Sequence, residues 1–269
     1  MEEVDEDYEA HENAIICFDG SVTTIPAEFL LGNLNIVELI CEPGVKRIEE
    51  AAFAYCRRLQ RVVLFGAKDV EAHGLVACEA LENVECELLE RVGEYAFRSC
   101  VSLGSINLPS IQRVARGAFI DCLALTHVTF GDDLEAIQTM AFFRCSSLEW
   151  ITIPLKDGLF TDNTIFTACD CLKRVDILEG PIHDTANALL LDEWKIDMSN
   201  EIDSINQILP GANAGNYNND REHGEKTYEI RMWIKRVIRK ITHYQVEQNR
   251  LLTEAATALQ SRLPLEISC

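Results

Sequence analysis

Hydrophobic positions recur along most of this chain at a nearly constant period. Cysteines mark the period most clearly, because they stand at positions 56, 78, 100, 122, 145 and 169, at intervals of 22, 22, 22, 23 and 24 residues. A fixed period of this length is typical of solenoids, in which stacked coils share one core and each repeat position forms a ladder. We therefore interpret the six cysteines as one buried ladder of small hydrophobic side chains, rather than as a metal or redox site.

Other ladders keep register with the cysteines. Three residues before them stand Phe53, Leu75, Phe97, Phe119, Phe142 and Phe166, and three residues after them stand Leu59, Leu81, Leu103, Leu125, Leu148 and Leu172. The sixth place after them holds Val62, Val84, Ile106, Val128, Ile151 and Val175, and the eighth holds Leu64, Cys86, Leu108, Phe130, Ile153 and Ile177. The eighth place before the first five holds Ile48, Val70, Val92, Val114 and Ile137.

The segment after each cysteine predicts a short strand, since its apolar and polar residues alternate, as in Leu103–Leu108. One strand per coil, with neighbours about 4.8 Å apart, gives a parallel sheet along the solenoid. The segment before each cysteine predicts an irregular or briefly helical return. The first copy is degraded but keeps Ile25, Phe29, Leu34, Val37 and Leu39, as expected of a terminal coil.

Two of the units read RVGEYAFRSCVSLGSINLP at 91–109 and AIQTMAFFRCSSLEWITIP at 136–154. They resemble the BspA-type leucine-rich repeat family, whose units read approximately I-x-x-x-A-F-x-x-C-x-x-L-x-x-I-x-L-P. The resemblance covers about residues 22–180. It implies an α/β repeat solenoid, a right-handed leucine-rich-repeat solenoid with a parallel strand ladder, and it implies protein binding rather than catalysis. From 187 onward the chain also looks like the helical tail that follows such repeats in predicted diatom proteins.

After Pro181 the spacing becomes helical. One predicted helix starts with Asp184 or Thr185 as N-cap, ends at Pro210-Gly211 and has an apolar stripe formed by Leu190, Trp194, Met198, Ile202, Ile205 and Leu209. A loop at 210–224 leads to a second helix, whose heptad-like seam is Ile230, Ile234, Val237, Ile241, Tyr244, Gln248, Leu251, Ala255 and Leu259. We expect an α-helical hairpin that caps the solenoid; the alternative is that the long helix pairs with another chain.

Charge divides the chain further. The net charge is −20, and residues 1–19 carry eight acids and no base, which predicts a disordered acidic tail. We therefore divide the chain into this tail at 1–19, repeats at 20–180 and a helical hairpin, cap or coiled-coil tail at 181–269. The overall acidity argues against nucleic-acid binding. The basic segment 231–240 is interpreted as the acid-pairing face of the hairpin, with a calmodulin-target-like or membrane-surface helix as the alternative.

Motifs of catalysis and cofactor binding are missing from the sequence. It contains no phosphate-binding glycine loop, no HExxH, no GxSxG and no cysteine and histidine pairs at zinc spacing. We expect a protein that is not an enzyme and needs no cofactor or metal. With no secretory signal and no transmembrane run, we expect a cytoplasmic location, with the nucleus as the alternative, and free thiols.

The binding surface is expected on the outward side of the strands, at the fifth and seventh places after each cysteine. These residues are Arg61, Val63, Asn83, Glu85, Ser105, Asn107, His127, Thr129, Trp150, Thr152, Arg174 and Asp176. They vary from coil to coil, and an exposed tryptophan such as Trp150 is a common interface anchor. The predicted function is a protein-binding scaffold, and the alternative is a structural protein that self-associates through its C-terminal helices.

Overall fold

Parallel strands wind the chain into a solenoid. The computed structural model describes residues 14–178, 181–212 and 225–262. Its wide side carries eight strands: β1 (Ala14–Phe18), β3 (Ile36–Cys41), β5 (Arg61–Leu64), β7 (Asn83–Glu85), β9 (Ser105–Leu108), β11 (His127–Phe130), β13 (Trp150–Ile153) and β14 (Arg174–Ile177). They form two four-stranded parallel sheets, β1-β3-β5-β7 and β9-β11-β13-β14. The predicted strand after each cysteine is therefore confirmed.

A second parallel ladder lies on the narrow side of the solenoid. It joins six two-residue strands: β2 (Thr24–Ile25), β4 (Arg47–Ile48), β6 (Asp69–Val70), β8 (Arg91–Val92), β10 (Arg113–Val114) and β12 (Ala136–Ile137). The expectation of an irregular return is wrong for these residues. The aliphatic residue eight places before each of the first five cysteines is the inward residue of such a strand, and two residues are too few for alternation to be visible in the sequence.

The third side of each coil is a series of tight turns, in which some residues adopt the left-handed backbone conformation. Tyr55, Ala77 and Ser99, each directly before a cysteine, have φ of 61°, 56° and 60°. Their backbone N–H groups donate to the carbonyl groups of the next coil, at 2.7 to 2.8 Å. A left-handed conformation is unfavourable for a residue with a Cβ, but here it directs these amides toward the neighbouring coil and satisfies them.

The core consists of the predicted ladders. The rings of Phe97, Phe119 and Phe142 stack almost parallel, with centroids 5.2 and 5.1 Å apart, and Phe166 continues the stack at 5.7 Å. Leu75 interrupts this stack, in the coil whose sequence departs most from the repeat. All six period-marking cysteines are buried beside the rings.

Each cysteine thiol also joins two coils. The Sγ–H groups of Cys78, Cys122, Cys145 and Cys169 donate to carbonyl oxygens in the ladder of phenylalanines one coil earlier, at 3.0 to 3.2 Å. Cys100 donates in the same way to the carbonyl of Leu75, at 3.3 Å. The thiol is thus a small apolar group that still offers a second, weak donor to a buried carbonyl that already accepts a backbone N–H.

The amino-terminal end differs from the expected boundary. Residues 14–18 form β1, which pairs in parallel with β3, so the disordered acidic tail predicted for 1–19 does not extend through this strand. Its sequence, AIICF, alternates half-buried and exposed side chains. Residues 1–13 lie outside the described residues, and disorder there stays a prediction.

The carboxyl-terminal part is helical but is divided differently from the prediction. It comprises α1 (Pro181–Asn187), α2 (Asp192–Asp203), α3 (Ile205–Ile208), a 3₁₀ turn (Leu209–Gly211) and α4 (Glu225–Arg262). The single first helix is therefore wrong: α1 begins at Pro181, before the expected N-cap, and extended backbone at Leu191 separates α1 from α2. Leu190, expected in the apolar stripe, is 50% exposed for the same reason.

Polar side chains of the helical tail replace the coil that would have come next. In inner coils the phenylalanine N–H donates to a carbonyl of the following coil, as Phe119 does to Ala141 at 2.8 Å. Phe166 has no following coil, and its N–H donates to the Thr227 hydroxyl at 3.1 Å. The Asn206 Oδ1 accepts the N–H of Val175 at 2.8 Å, at the open edge of β14.

Lys226 completes this cap from the same end of α4. Its ammonium donates to the carbonyl oxygens of Asp170 and Leu172, at 3.0 and 2.6 Å, and its side chain is buried. Burial lowers the pKa of this lysine from its ordinary value. Met198, Ile205, Leu209, Ile230 and Trp233 join the same hydrophobic core as the coils. The tail therefore caps the solenoid within one chain.

The basic segment of α4 lies against acids of α2. Arg236 contacts Glu201 at 3.1 Å, and the Lys240 ammonium lies 2.9 Å from Asp197 and 3.3 Å from Glu201. This confirms the acid-pairing interpretation for these two bases. Among the described residues, no helix combines the length and apolarity needed to span a membrane.

Alkaline pH tests the thiol ladder. Burial raises the pKa of Cys56 to about 11 and that of Cys169 to about 12, and it raises the pKa of Cys78, Cys100 and Cys145 well above the ordinary value. An unfolded thiol ionises near pH 8.5, so the native state holds more protons above that pH and loses stability as pH rises. Each such thiol adds about 1.4 kcal/mol per pH unit to this loss.

Urea unfolding at intervals from pH 7 to pH 10 measures this effect. We expect the free energy of unfolding to be nearly flat below pH 8 and to fall steeply above pH 8.5. Cys100→Ala should reduce the slope of the unfolding free energy against pH by the amount that corresponds to about one bound proton. A free energy that stays constant to pH 10 would contradict burial of the protonated thiols.

Thr227→Val tests the polar cap. The substitution keeps the shape of the side chain but leaves the buried Phe166 amide without an acceptor, which costs about 1–3 kcal/mol. Thr242→Val is the matched control, because Thr242 is exposed on the same helix and its hydroxyl donates only to the Ile238 carbonyl. We expect the control to change the free energy of unfolding by less than about 0.5 kcal/mol. Equal effects of the two substitutions in urea unfolding would exclude a capping role for Thr227.

Candidate protein-binding surface

The structure brings the twelve predicted binding residues to the wide side of the solenoid. Strand register aligns them in two rows that run along its axis. The first row is Arg61, Asn83, Ser105, His127, Trp150 and Arg174, and the second is Val63, Glu85, Asn107, Thr129, Thr152 and Asp176. Their placement on a single face follows from the repeat, since one residue in each coil takes each position. Whether a partner contacts them stays a prediction.

Val63 is the exception within these rows. It is only 1% exposed, so the expectation that it contacts a partner is wrong. It lies outside the main core, between Ile40 and Glu85 of the adjacent strands. An apolar residue at an outward position is thus covered by its neighbours on the same face.

Ion pairs occupy the amino-terminal half of the face. The Arg61 guanidinium contacts Glu38 on one side and Glu85 on the other, the latter at 2.7 Å. Hydrogen bonds to Glu85 and Glu38 raise the pKa of Arg61 above its ordinary value. Charges paired in this way are already satisfied within the chain, so they offer a partner little net charge.

Trp150 is the centre of the carboxyl-terminal half. The His127 ring meets the Trp150 ring edge to face, and the Arg174 guanidinium carbon lies 5.9 Å from its centroid, within cation–π distance. Arg174 Nε also donates to Asp176 at 2.9 Å. These neighbours leave Trp150 half-buried rather than fully exposed. The indole is thereby held in one orientation before any partner binds.

A notch separates the two halves, and the repeat pattern did not predict it. Strands β7 and β9 are adjacent but are not joined by ladder hydrogen bonds. A cavity of about 260 Å³ opens there, lined by Leu64, Phe65, Val84, Cys86, Glu87, Glu85 and Asn107. Phe65 is 52% exposed at its edge. The sequence signal that could have indicated the notch is Phe65 itself, at the ninth place after the cysteine. Other coils have Glu87, Pro109, Gly131, Pro154 and Leu178 at this place.

The wide side of the solenoid presents three kinds of surface. It combines an apolar notch, a fixed aromatic ring and polar strand residues, and the buried thiols beneath it hold their protons because burial raises their pKa. Among the described residues, no group of three or more histidine, cysteine or acidic side chains is placed to hold a metal ion.

Comparison with known proteins supports the repeat architecture. A family model described as "BspA type Leucine rich repeat region" matches six copies, over residues 9–100 and 68–188. A search of curated proteins finds no match.

Among solved structures, the chain is similar to a T. pallidum leucine-rich repeat protein, with 27% identity and a TM-score of 0.46 over 49% of this chain and 63% of that one. It is also similar to a leucine-rich repeat protein from Bacteroides ovatus, with 20% identity and a TM-score of 0.51 over 61% of this chain and 42% of that one. The chain thus spans less than two thirds of either protein, and the second likeness supports the fold alone.

Proposed function

Because the chain belongs to the BspA-type leucine-rich repeat family, we propose that it is a non-catalytic scaffold that binds a protein partner through the strand face of its solenoid. Repeats of this family indicate a protein-interaction role in general, on a fold that is typically non-catalytic. The choice of face and of anchor residues rests on the geometry of this chain.

The observation that carries the proposal is the fixed orientation of Trp150. Aromatic residues and arginine dominate the energetics of many protein interfaces, and a side chain that is already ordered loses little entropy when it binds. His127 and Arg174 order the indole from both sides. No comparable aromatic group lies among the other eleven predicted binding residues.

The surroundings of this cluster favour an extended or flat protein surface as the partner. Strands of a solenoid present their outward residues at regular spacing, and the notch beside Phe65 lies on the same face, two strands from β13. A partner segment that runs along the solenoid axis can contact Trp150 and place an apolar side chain in the notch. Glu87, which is exposed at the rim of the notch, favours a partner with a basic residue beside that apolar one.

A reducing compartment, such as the cytoplasm, suits this scaffold. The ten described cysteines are unpaired, and eight of them are buried. Buried free thiols in a repeat core are compatible with an environment that does not form disulfides.

Self-association through the C-terminal helices is the second candidate function. One observation favours it: the distal part of α4 leaves the body of the molecule and exposes Val246, Leu252 and Leu259 at 59%, 50% and 67%. This surface is separate from the strand face, so the two functions are compatible.

Trp150→Ala tests the strand face. We expect the variant to keep its melting temperature, because the ring contacts only outward side chains, and to lose proteins that the native full-length chain captures from a cell extract. Tyr55→Ala is the matched control, since Tyr55 is 49% exposed on the turn side of the solenoid. Quantitative mass spectrometry of the captured proteins supplies the measurement.

Three outcomes would overturn the proposal. If Trp150→Ala captures the same proteins as the native chain, the partner binds another surface. If Trp150→Ala unfolds, the ring belongs to the core and the assignment of outward positions is wrong. Loss of the same proteins in both variants would also remove the case for the strand face.

A further inference from the structure

The distal half of α4 continues a packing seam beyond the body of the molecule. Ile230, Ile234, Val237 and Ile241 are buried against the coils and α2, and Tyr244 stacks on Trp194. Among the described residues from 249 onward, the side-chain hydrogen bonds stay within α4. The heptad-like spacing nevertheless continues through Leu251, Ala255 and Leu259.

This distal stripe, defined as Leu251, Leu252, Ala255, Ala258 and Leu259, lies on one side of the helix because its spacing follows the helical period. Glu247, Arg250 and Glu254 lie along one flank of the stripe, with Arg250 bonded to both acids at 2.9 and 2.7 Å. A single helix of this length is marginal in water without packing on its apolar side. The stripe therefore has the pattern of a helix that pairs.

Charge identifies the occupant of the stripe. Residues 245–262 carry two acids and two bases, so this segment is neutral in a chain of net charge −20. Two copies of the segment can approach each other without repulsion, whereas most other surfaces of the chain cannot. The seam is also continuous with one that already packs helix against helix inside the molecule. We propose that the distal stripe pairs with the same stripe of a second copy, in antiparallel orientation, which rests on the self-association named above as the second candidate function.

The antiparallel orientation follows from the charge of the solenoids. Parallel pairing would place two acidic bodies side by side at the same end of the helices. Antiparallel pairing over residues 249–262 places them at opposite ends, about 20 Å apart along the helix axis. That distance exceeds the screening length of about 8 Å at physiological ionic strength, so repulsion between the bodies is largely removed.

One register keeps the pairing beyond the residues that pack inside the molecule. Gln248 lies on the same side of α4 as the stripe, and its side-chain oxygen accepts the Leu190 N–H at 2.8 Å, so this side is already covered up to Gln248. With the two-fold axis near Ala255, Leu251 of one copy lies opposite Leu259 of the other, and the two Ala255 side chains meet at the centre.

Light scattering after size-exclusion chromatography tests the pairing on the full-length chain. We expect a mass that rises with concentration from 30.3 kDa toward twice that value. Leu251→Lys should return the chain to a monomer at every concentration. Thr253→Lys adds the same charge on the opposite side of the helix and should leave the dimer intact, or shift its dissociation constant by less than about tenfold, as exposed substitutions do. Both variants should keep the melting temperature, because both sites lie beyond the core.

Spin labels on Gln260→Cys test the orientation, in a chain whose Cys17, Cys171 and Cys269 are replaced by serine. Gln260 lies on the side of the helix away from the stripe, so antiparallel pairing places the two labelled positions about 20 Å apart, and parallel pairing places them about 13 Å apart. A dimer with the short distance would overturn the antiparallel arrangement and leave self-association standing. A native chain that stays monomeric, or a dimer that survives Leu251→Lys, would overturn the pairing of the stripes altogether.

Discussion

The hydrogen bond from each cysteine thiol to a carbonyl of the preceding coil is the contact on which the architecture depends. At this corner the chain turns sharply beside a stack of phenylalanine rings, and the carbonyl it passes is buried. A larger side chain would collide with the rings, and alanine would leave the carbonyl with fewer donors. The thiol is small enough for the corner and still donates. This solution recurs in successive coils at the period of 22 to 24 residues, in register with the other ladders.

The same constraint explains the ends of the solenoid. Each coil supplies hydrogen-bond partners for the backbone groups of the coil beside it, so the last coil must be left with backbone groups that lack a partner. The helical tail supplies them with the Thr227 hydroxyl, the Asn206 amide and the Lys226 ammonium, while Trp233 covers the apolar ladder beneath. The tail is thus a necessary part of the fold. Only the part of the tail past Gln248 does not cover the last coil. That part carries the neutral distal stripe that suits a second copy.

Sequence periodicity was sufficient for the parts of the fold that repeat. Apolar residues recur in every full coil at the positions of Leu103, Ile106 and Leu108, so the wide strands and their inward side could be predicted from the pattern alone. The narrow strands could not, because two residues such as Arg113 and Val114 contain no alternation to recognise. The division of the first tail helix near Leu191 was also missed, since the apolar spacing runs across the break.

The binding surface was predictable as a face but not as a set of contacts. Position in the repeat placed Trp150, His127 and Arg174 together correctly, because register follows from the period. It could not show that Val63 is covered by its neighbours, or that β7 and β9 lack ladder hydrogen bonds and leave a notch beside Phe65. Such features depend on how unlike side chains of adjacent coils meet, and a repeat pattern carries no information about that.

Raman spectroscopy of the S–H stretch tests the central contact most directly, because hydrogen bonding lowers the stretching frequency of the donor. If the thiols donate to carbonyls of the preceding coil, most of the native S–H band lies at the lower frequency of hydrogen-bonded thiols and moves upward when the chain unfolds. Cys122→Ala then removes intensity from the low-frequency part alone. A native band at the frequency of unbonded thiols would contradict the account, since the cysteines would then be spacers that join no coils.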